Sequence, residues 1–102
     1  MDVELARQEW EAGYARMEGA RRDRSRYAAL TAQLEPVFEE LRKRVGQTFT
    51  NAELAHAYDG AVEWARDAID LADPEAPPSP DVATVTGAAF HLYARGAADY
   101  RP

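Results

Sequence analysis

The helix start encoded by residues 49–54 constrains the fold of this chain more than any other local feature. Thr50 is suited to cap free backbone N–H groups, and Glu53, three residues later, can reach back to the Thr50 amide. Phe49 and Leu54 flank the cap and can pack against each other across it. Two capping devices side by side predict that a helix begins here.

Apolar residues recur at spacings of three and four over most of the chain, which is the pattern of amphipathic helices. No segment alternates convincingly enough for a sheet. The pattern therefore predicts an all-α protein, a small bundle of three to five helices that could include one long kinked helix or a helical hairpin. The apolar positions before the Thr50 cap are Val3, Ala6, Trp10, Tyr14, Met17, Tyr27, Leu30, Leu34, Phe38, Leu41 and Val45.

The sequence leaves the number of helices open at three points. Residues 21–26 hold four arginines and either separate two helices or form a solvated turn of one long helix. Pro36 should kink the next helix or split it in two, because proline lacks the backbone N–H donor. Residues 50–71 form either one helix or two helices that break near Gly60, and the single helix is the favoured interpretation.

The chain length of 102 residues suits one domain. Within residues 1–102 we expect residues 1–20 to form a helical arm, residues 73–80 a proline-rich loop and residues 97–102 a tail. Residues 79–81, Ser-Pro-Asp, predict another helix start, because serine caps well and proline suits the first helical position.

Composition excludes several classes of function. The absence of cysteine removes disulfides, Fe–S clusters and thiol nucleophiles. The N-terminus lacks a basic region followed by an apolar run, and the longest uncharged run, Val82 to Ala94, is shorter than the roughly 20 residues of a membrane span. We therefore expect a cytoplasmic protein without a membrane span. Eleven arginines against one lysine are typical of a GC-rich bacterial genome.

The net charge of −6 disfavours general binding to nucleic acid, because phosphates repel an acidic surface. Residues 27–102 carry the whole excess, with twelve acidic and six basic side chains. The exception is an arginine cluster that offers polar contacts to an acidic partner or a nucleic acid. Its members are Arg21, Arg22, Arg24 and Arg26.

Much of the apolar share is alanine, so few large side chains are available to fill a core. A helical chain with a thin core can complete its apolar surface with a partner or with a second copy of itself. Trp10, Tyr14 and Met17 form the candidate interface, since aromatic anchors dominate binding energy at interfaces. The leading hypothesis is a non-enzymatic interaction or regulatory protein with a protein partner or a homodimeric state.

Two further functions stay open. Residues 50–71 can be laid over a helix-turn-helix, whose second helix would enter the major groove of DNA. That helix is rich in acidic side chains, so nucleic-acid binding is the less favoured alternative. The other is a small-molecule or catalytic pocket around His91, Tyr93 and Arg95.

Motifs for catalysis and metal binding are weak. Glu53 and His56 have the spacing of a carboxylate–histidine pair, but di-iron bundles use two such pairs and Glu53 already serves the cap. Neither serine lies in a Gly-x-Ser-x-Gly context, and the glycines are scattered. We assign no catalytic, cofactor-binding or metal residue, and a non-enzymatic protein without a cofactor is favoured.

Overall fold

The computed structural model describes residues 2–76 and 80–99, and these form five α-helices and one short 3₁₀ helix. Within those residues there is no strand, so the prediction of an all-α bundle is confirmed. The helices are α1 (Val3–Gly19), α2 (Arg24–Arg44), α3 (Asn51–Tyr58), α4 (Ala61–Ala72) and α5 (Val82–Ala94), and the 3₁₀ helix is Ala97–Asp99.

Helix α5 is the centre of the bundle, since the other four helices all pack against it. Nine of its 13 residues are buried. Its threonines favour strands when taken alone, but each finds a hydrogen-bond partner here. The Thr86 hydroxyl donates to the Val82 carbonyl at 2.7 Å, and the Thr84 hydroxyl accepts from Arg16 Nε at 2.9 Å. Burial in the bundle therefore outweighs the intrinsic preference of these residues.

Helices α1 and α5 approach most closely where two glycines face each other. A Cβ atom on Gly13 would lie 2.9 Å from Gly87 Cα and 3.0 Å from the carbonyl oxygen of Thr84. A Cβ atom on Gly87 would lie 3.1 Å from the carbonyl oxygen of Glu9. The glycines therefore permit backbone-to-backbone contact, and the predicted arm, residues 1–20, is docked along α5 as far as the structure describes it.

The stretch that the sequence left as one helix or several contains two helices, α1 and α2. Residues 20–23 form the turn between them, and the Asp23 side chain caps the first turn of α2. Helix α2 runs without a break through Pro36, so the alternative of a split at this proline is wrong. Val37 and Phe38, directly after the proline, are buried in the bundle. We attribute the continuity of α2 to that packing.

Helices α3 and α4 are separate, with Asp59 and Gly60 between them. Gly60 has a φ of +74°, a left-handed conformation that L side chains rarely adopt. The favoured interpretation of one helix over residues 50–71 is therefore wrong, and the alternative of two helices that break near Gly60 is confirmed. The predicted capping box is confirmed, because the Thr50 hydroxyl accepts from the Glu53 N–H at 3.1 Å and the Glu53 carboxylate accepts from the Thr50 N–H at 3.2 Å.

The C-terminal region differs from expectation in two details. Helix α5 begins at Val82 after Asp81, whereas the predicted cap, Ser79, lies outside the described residues. The predicted tail includes residues 97–99, which form the 3₁₀ helix and place Ala98 in the core. The described part of that tail therefore packs on the bundle.

Candidate functional site

The predicted interface residues Trp10, Tyr14 and Met17 lie on the side of α1 that faces the bundle. Trp10 and Met17 are each only 2% exposed. The Trp10 ring lies 5.8 Å from the Phe90 ring and 6.0 Å edge-on from the Tyr58 ring, measured between centroids. The Trp10 and Met17 side chains fill the core of their own chain, so they are not available as surface anchors in this conformation.

Tyr14 is the member of this stripe that reaches the surface. Its ring stacks on the His91 imidazole with centroids 4.6 Å apart. The hydrogen bond with Glu18, together with the negative charge of that residue, raises the pKa of the Tyr14 phenol. Because its ring stacks on the imidazole, Tyr14 forms part of the surroundings of His91.

The predicted polar-contact arginines are all exposed: Arg21, Arg22, Arg24 and Arg26. Two of them have acidic partners within the chain. Arg21 forms an ion pair with Glu18, and Arg26 Nη2 lies 3.1 Å from Asp81 Oδ1. Solvent and salt screen exposed pairs of this kind, so they add little to the stability of the fold. The exposed cluster therefore spans the turn between α1 and α2 and the first turn of α2.

A groove of about 700 Å³ opens between the end of α2, helix α3 and the start of α4. The half-buried Trp64 ring forms one wall, with its centroid 6.0 Å from that of Phe90. The guanidinium carbon of Arg44 lies 4.7 Å from the Trp64 ring centroid, in cation–π contact. We call this feature the Trp64 groove; it is lined by Arg44, Val45, Ala52, Glu53, His56, Ala57, Asp59 and Trp64.

Trp64 is not among the predicted site residues, because it stands beside the main apolar stripe of α4 rather than on it. The buried residues of this helix are Ala61, Ala65 and Ile69, at spacings of four. Leu71, seven residues after Trp64, is 80% exposed. Seven residues are close to two helical turns, so these two side chains leave α4 in nearly the same direction.

A second concave site, of about 340 Å³, lies where α1, the start of α3 and the end of α5 meet. We call it the His91 cleft; it is lined by Arg7, Trp10, Glu11, Asn51, His91, Ala94 and Arg95. Of the three residues predicted to form a pocket, His91 and Arg95 do so. Tyr93 is buried elsewhere, with its hydroxyl donating to the Gly46 carbonyl and its ring 5.1 Å from that of Phe49.

Burial lowers the pKa of the His91 imidazole, and the positive charge of Arg95 lowers it further, while Glu11 acts in the opposite direction. The imidazole is therefore neutral at neutral pH. Trp10 adds an unusual feature, because its buried indole N–H donates to no acceptor in the described part of the chain. A buried donor without an acceptor is uncommon in a folded protein.

Among residues 2–76 and 80–99, no three histidine, aspartate or glutamate side chains are grouped so that they could hold a metal ion. Glu53 and His56 both line the Trp64 groove, and the Glu53 carboxylate is engaged by the capping box. None of the described helices combines the length and apolar character needed to cross a membrane.

Comparison of the chain with known proteins finds no matching family model, no similar curated protein and no similar solved structure. The two concave sites and the surfaces around them are therefore the basis for assigning a function.

Proposed function

We propose that this protein is a non-enzymatic interaction protein that binds a basic, amphipathic segment of another protein in the Trp64 groove. The observation that carries the proposal is the partly exposed Trp64 in a groove whose charged lining residues are two carboxylates and one guanidinium group. A tryptophan in such a position is a suitable anchor, because tryptophan is enriched among the residues that dominate binding energy.

The apolar part of the proposed surface continues along α4. Leu71 and Leu5 are the exposed large apolar residues of the described chain, at 80% and 56% exposure. Leu71 follows Trp64 on the same side of α4, about 10 Å further along the helix axis. An amphipathic helix that binds in a groove presents anchors at this repeat of seven. Trp64 and Leu71 therefore match one face of a helical partner segment.

The charge around the groove favours a basic partner. Glu53 and Asp59 line it against one cation, Arg44, which already lies over the Trp64 ring. The exposed face of α4 adds three acidic residues and one arginine. Complementary charge speeds encounter and suppresses partners of the wrong sign. The charged residues on the exposed face of α4 are Glu63, Arg66, Asp67 and Asp70.

The test uses a fluorescently labelled helical peptide about four turns long, with leucines at spacings of three and four and lysines elsewhere. A matched peptide carries glutamate at every lysine position. We expect the lysine peptide to bind and the glutamate peptide not to bind, in an anisotropy titration. Trp64→Ala should weaken binding about 30-fold, which corresponds to a loss of about 2 kcal/mol.

Leu5→Ser is the matched control, because it removes another exposed leucine from α1. It should leave peptide binding unchanged, whereas Leu71→Ser should weaken it. Leu71 is far too exposed for its loss to unfold the chain, so this variant remains informative if Trp64→Ala is unstable. Equal binding by wild type, Trp64→Ala and Leu71→Ser would refute the proposal. A dimer in light scattering that Leu71→Ser dissociates would identify a second copy as the occupant instead.

A nucleic-acid-binding regulator is the alternative, and the break between α3 and α4 favours it, because a helix-turn-helix over residues 50–71 also requires two helices. Charge opposes it: Glu63, Asp67 and Asp70 are exposed on the helix that would approach DNA. This alternative requires DNA retardation at low salt that weakens as salt is added. Without retardation at low salt, it is excluded.

A further inference from the structure

The His91 cleft gathers cationic and polar donors on a protein that is acidic as a whole. Arg7 from α1 and Arg95 after α5 bring two guanidinium groups to the same cleft. Glu11 is the carboxylate among the lining residues, so the cleft has a net charge of about +1 with His91 neutral, against −6 for the whole chain. A positive cleft on a negative protein concentrates anions from solution.

The types of donor indicate which anions would fit. Guanidinium groups present planar pairs of N–H donors that match the oxygens of a carboxylate or a phosphate. The Asn51 side-chain amide adds a further donor to the same wall. Arg7 and Arg95 are both exposed, and the contact of Arg7 with Glu4 is long, at 4.0 Å. A ligand could therefore engage Arg7 without breaking a strong ion pair.

One other group in the cleft, the Glu11 carboxylate, indicates that the ligand has more than an anionic end. The Glu11 carboxylate is a hydrogen-bond acceptor, so it matches a hydroxyl group on a ligand. Trp10, another lining residue, is the one whose buried indole N–H lacks an acceptor in the described chain. The indole ring lines the cleft, but its N–H is enclosed by the protein, so the Glu11 carboxylate alone points to a hydroxyl group on the ligand.

From these groups we infer that the His91 cleft binds a small organic anion, a carboxylate or a phosphate ester, that also carries a hydroxyl group. The cavity of about 340 Å³ holds a molecule of metabolite size, since ligand pockets begin near this volume. The anionic group lies between Arg7 and Arg95, and the hydroxyl group donates to Glu11. This site does not depend on the Trp64 groove.

Isothermal titration calorimetry with four probes tests the inference: L-malate, succinate, glycerol 3-phosphate and glycerol. Malate and succinate differ by one hydroxyl group, so tighter binding of malate supports the role of Glu11. Glycerol lacks an anionic group and should produce no binding heat. Binding of malate alone identifies a carboxylate ligand, and binding of glycerol 3-phosphate alone identifies a phosphate ester.

Substitutions then locate the bound anion. Arg95→Gln and Arg7→Gln should each weaken binding at least tenfold, and circular dichroism should show an unchanged helix content because both side chains are exposed. Asn51→Asp adds a negative charge to the cleft and should also weaken binding. An acidic residue suits the first turn of α3, so this variant should keep its fold. Arg22→Gln is the matched control, since Arg22 is an exposed arginine outside the cleft.

Two results would overturn the inference. One is the absence of binding heat for both malate and glycerol 3-phosphate at millimolar concentration. The other is an equal loss of affinity in Arg22→Gln and Arg95→Gln, since that pattern belongs to attraction by overall charge rather than to a site. Peptide binding in the Trp64 groove should be the same for Arg95→Gln as for wild type. The proposal for each site can therefore be refuted without affecting the other.

Discussion

Replacing Gly13 with alanine should destabilise the protein, although alanine is the better helix former. The new Cβ atom would lie 2.9 Å from Gly87 Cα, 3.0 Å from the Thr84 carbonyl oxygen and 3.1 Å from the Ala88 backbone nitrogen. Ordinary contact begins at 3.4 Å, so the atom is about 0.5 Å too close to the backbone of α5. Backbone atoms cannot rotate away as a side chain does, so α1 must move as a unit.

The two opposing contributions have known sizes. Alanine gains about 1 kcal/mol over glycine inside a helix. Overpacking a well-filled core costs about 1–3 kcal/mol, and we take the upper end because three backbone atoms obstruct the new methyl group. The expected net loss for Gly13→Ala is about 2 kcal/mol. For a domain of this size that lowers the melting temperature by about 8–16 °C.

Gly19→Ala provides the control, because Gly19 lies in the same helix and a Cβ atom there meets nothing within 4 Å. Urea denaturation followed by circular dichroism should show Gly19→Ala equal to or more stable than wild type, and Gly13→Ala less stable. If Gly13→Ala is stabilised as much as Gly19→Ala, the close approach of α1 to α5 does not exist and the reasoning fails.

Two further predictions concern α3. Thr50→Ala removes the hydroxyl of the capping box and should lower the free energy of unfolding by about 1 kcal/mol in urea denaturation; an unchanged midpoint would show that the cap adds no stability. Burial, followed by the charge of Glu9, raises the pKa of the Tyr58 phenol from 10.0 to about 12, so folding favours its neutral form. The resulting stabilisation is complete below pH 10 and is lost as the pH rises toward 12. Wild type should therefore lose stability more steeply than Tyr58→Phe over this interval, and parallel curves would contradict the assignment.

Local features of the fold were predictable from sequence because their causes are local. The capping box needs two side chains three residues apart, and it forms as expected at Thr50 and Glu53. Gly46 follows the C-terminal end of α2. Its φ of +83° is the left-handed conformation that is expected of a glycine just after a helix. Gly60 marks a point where a helix over residues 50–71 could break, but the sequence favours one helix over two. The left-handed turn there depends on α3 and α4 packing separately against α5.

The functional sites were less predictable because they depend on which faces of the helices meet. The spacing of Trp10 and Met17 correctly indicates an apolar face of α1 that is buried. It does not show whether another protein or α5 of the same chain covers that face. Trp64 stands beside the apolar stripe of its helix, and only the neighbouring ends of α2 and α3 make a groove around it. The sequence predicts a pocket that contains His91 and Arg95, but it does not predict that Arg7 lines the same cleft.

The all-α class and the start of α3 can be predicted from the order of amino acids alone, because helix spacing and capping act over a few residues. Tertiary structure decided that Gly13 and Gly87 meet, and so that α1 is part of the core rather than an arm. It also decided that Arg7, Asn51 and Arg95 share one cleft. Residues so far apart in the chain are brought together only by the packing of separate helices. A local sequence pattern shows which face of a helix is apolar, but not which other helix that face packs against.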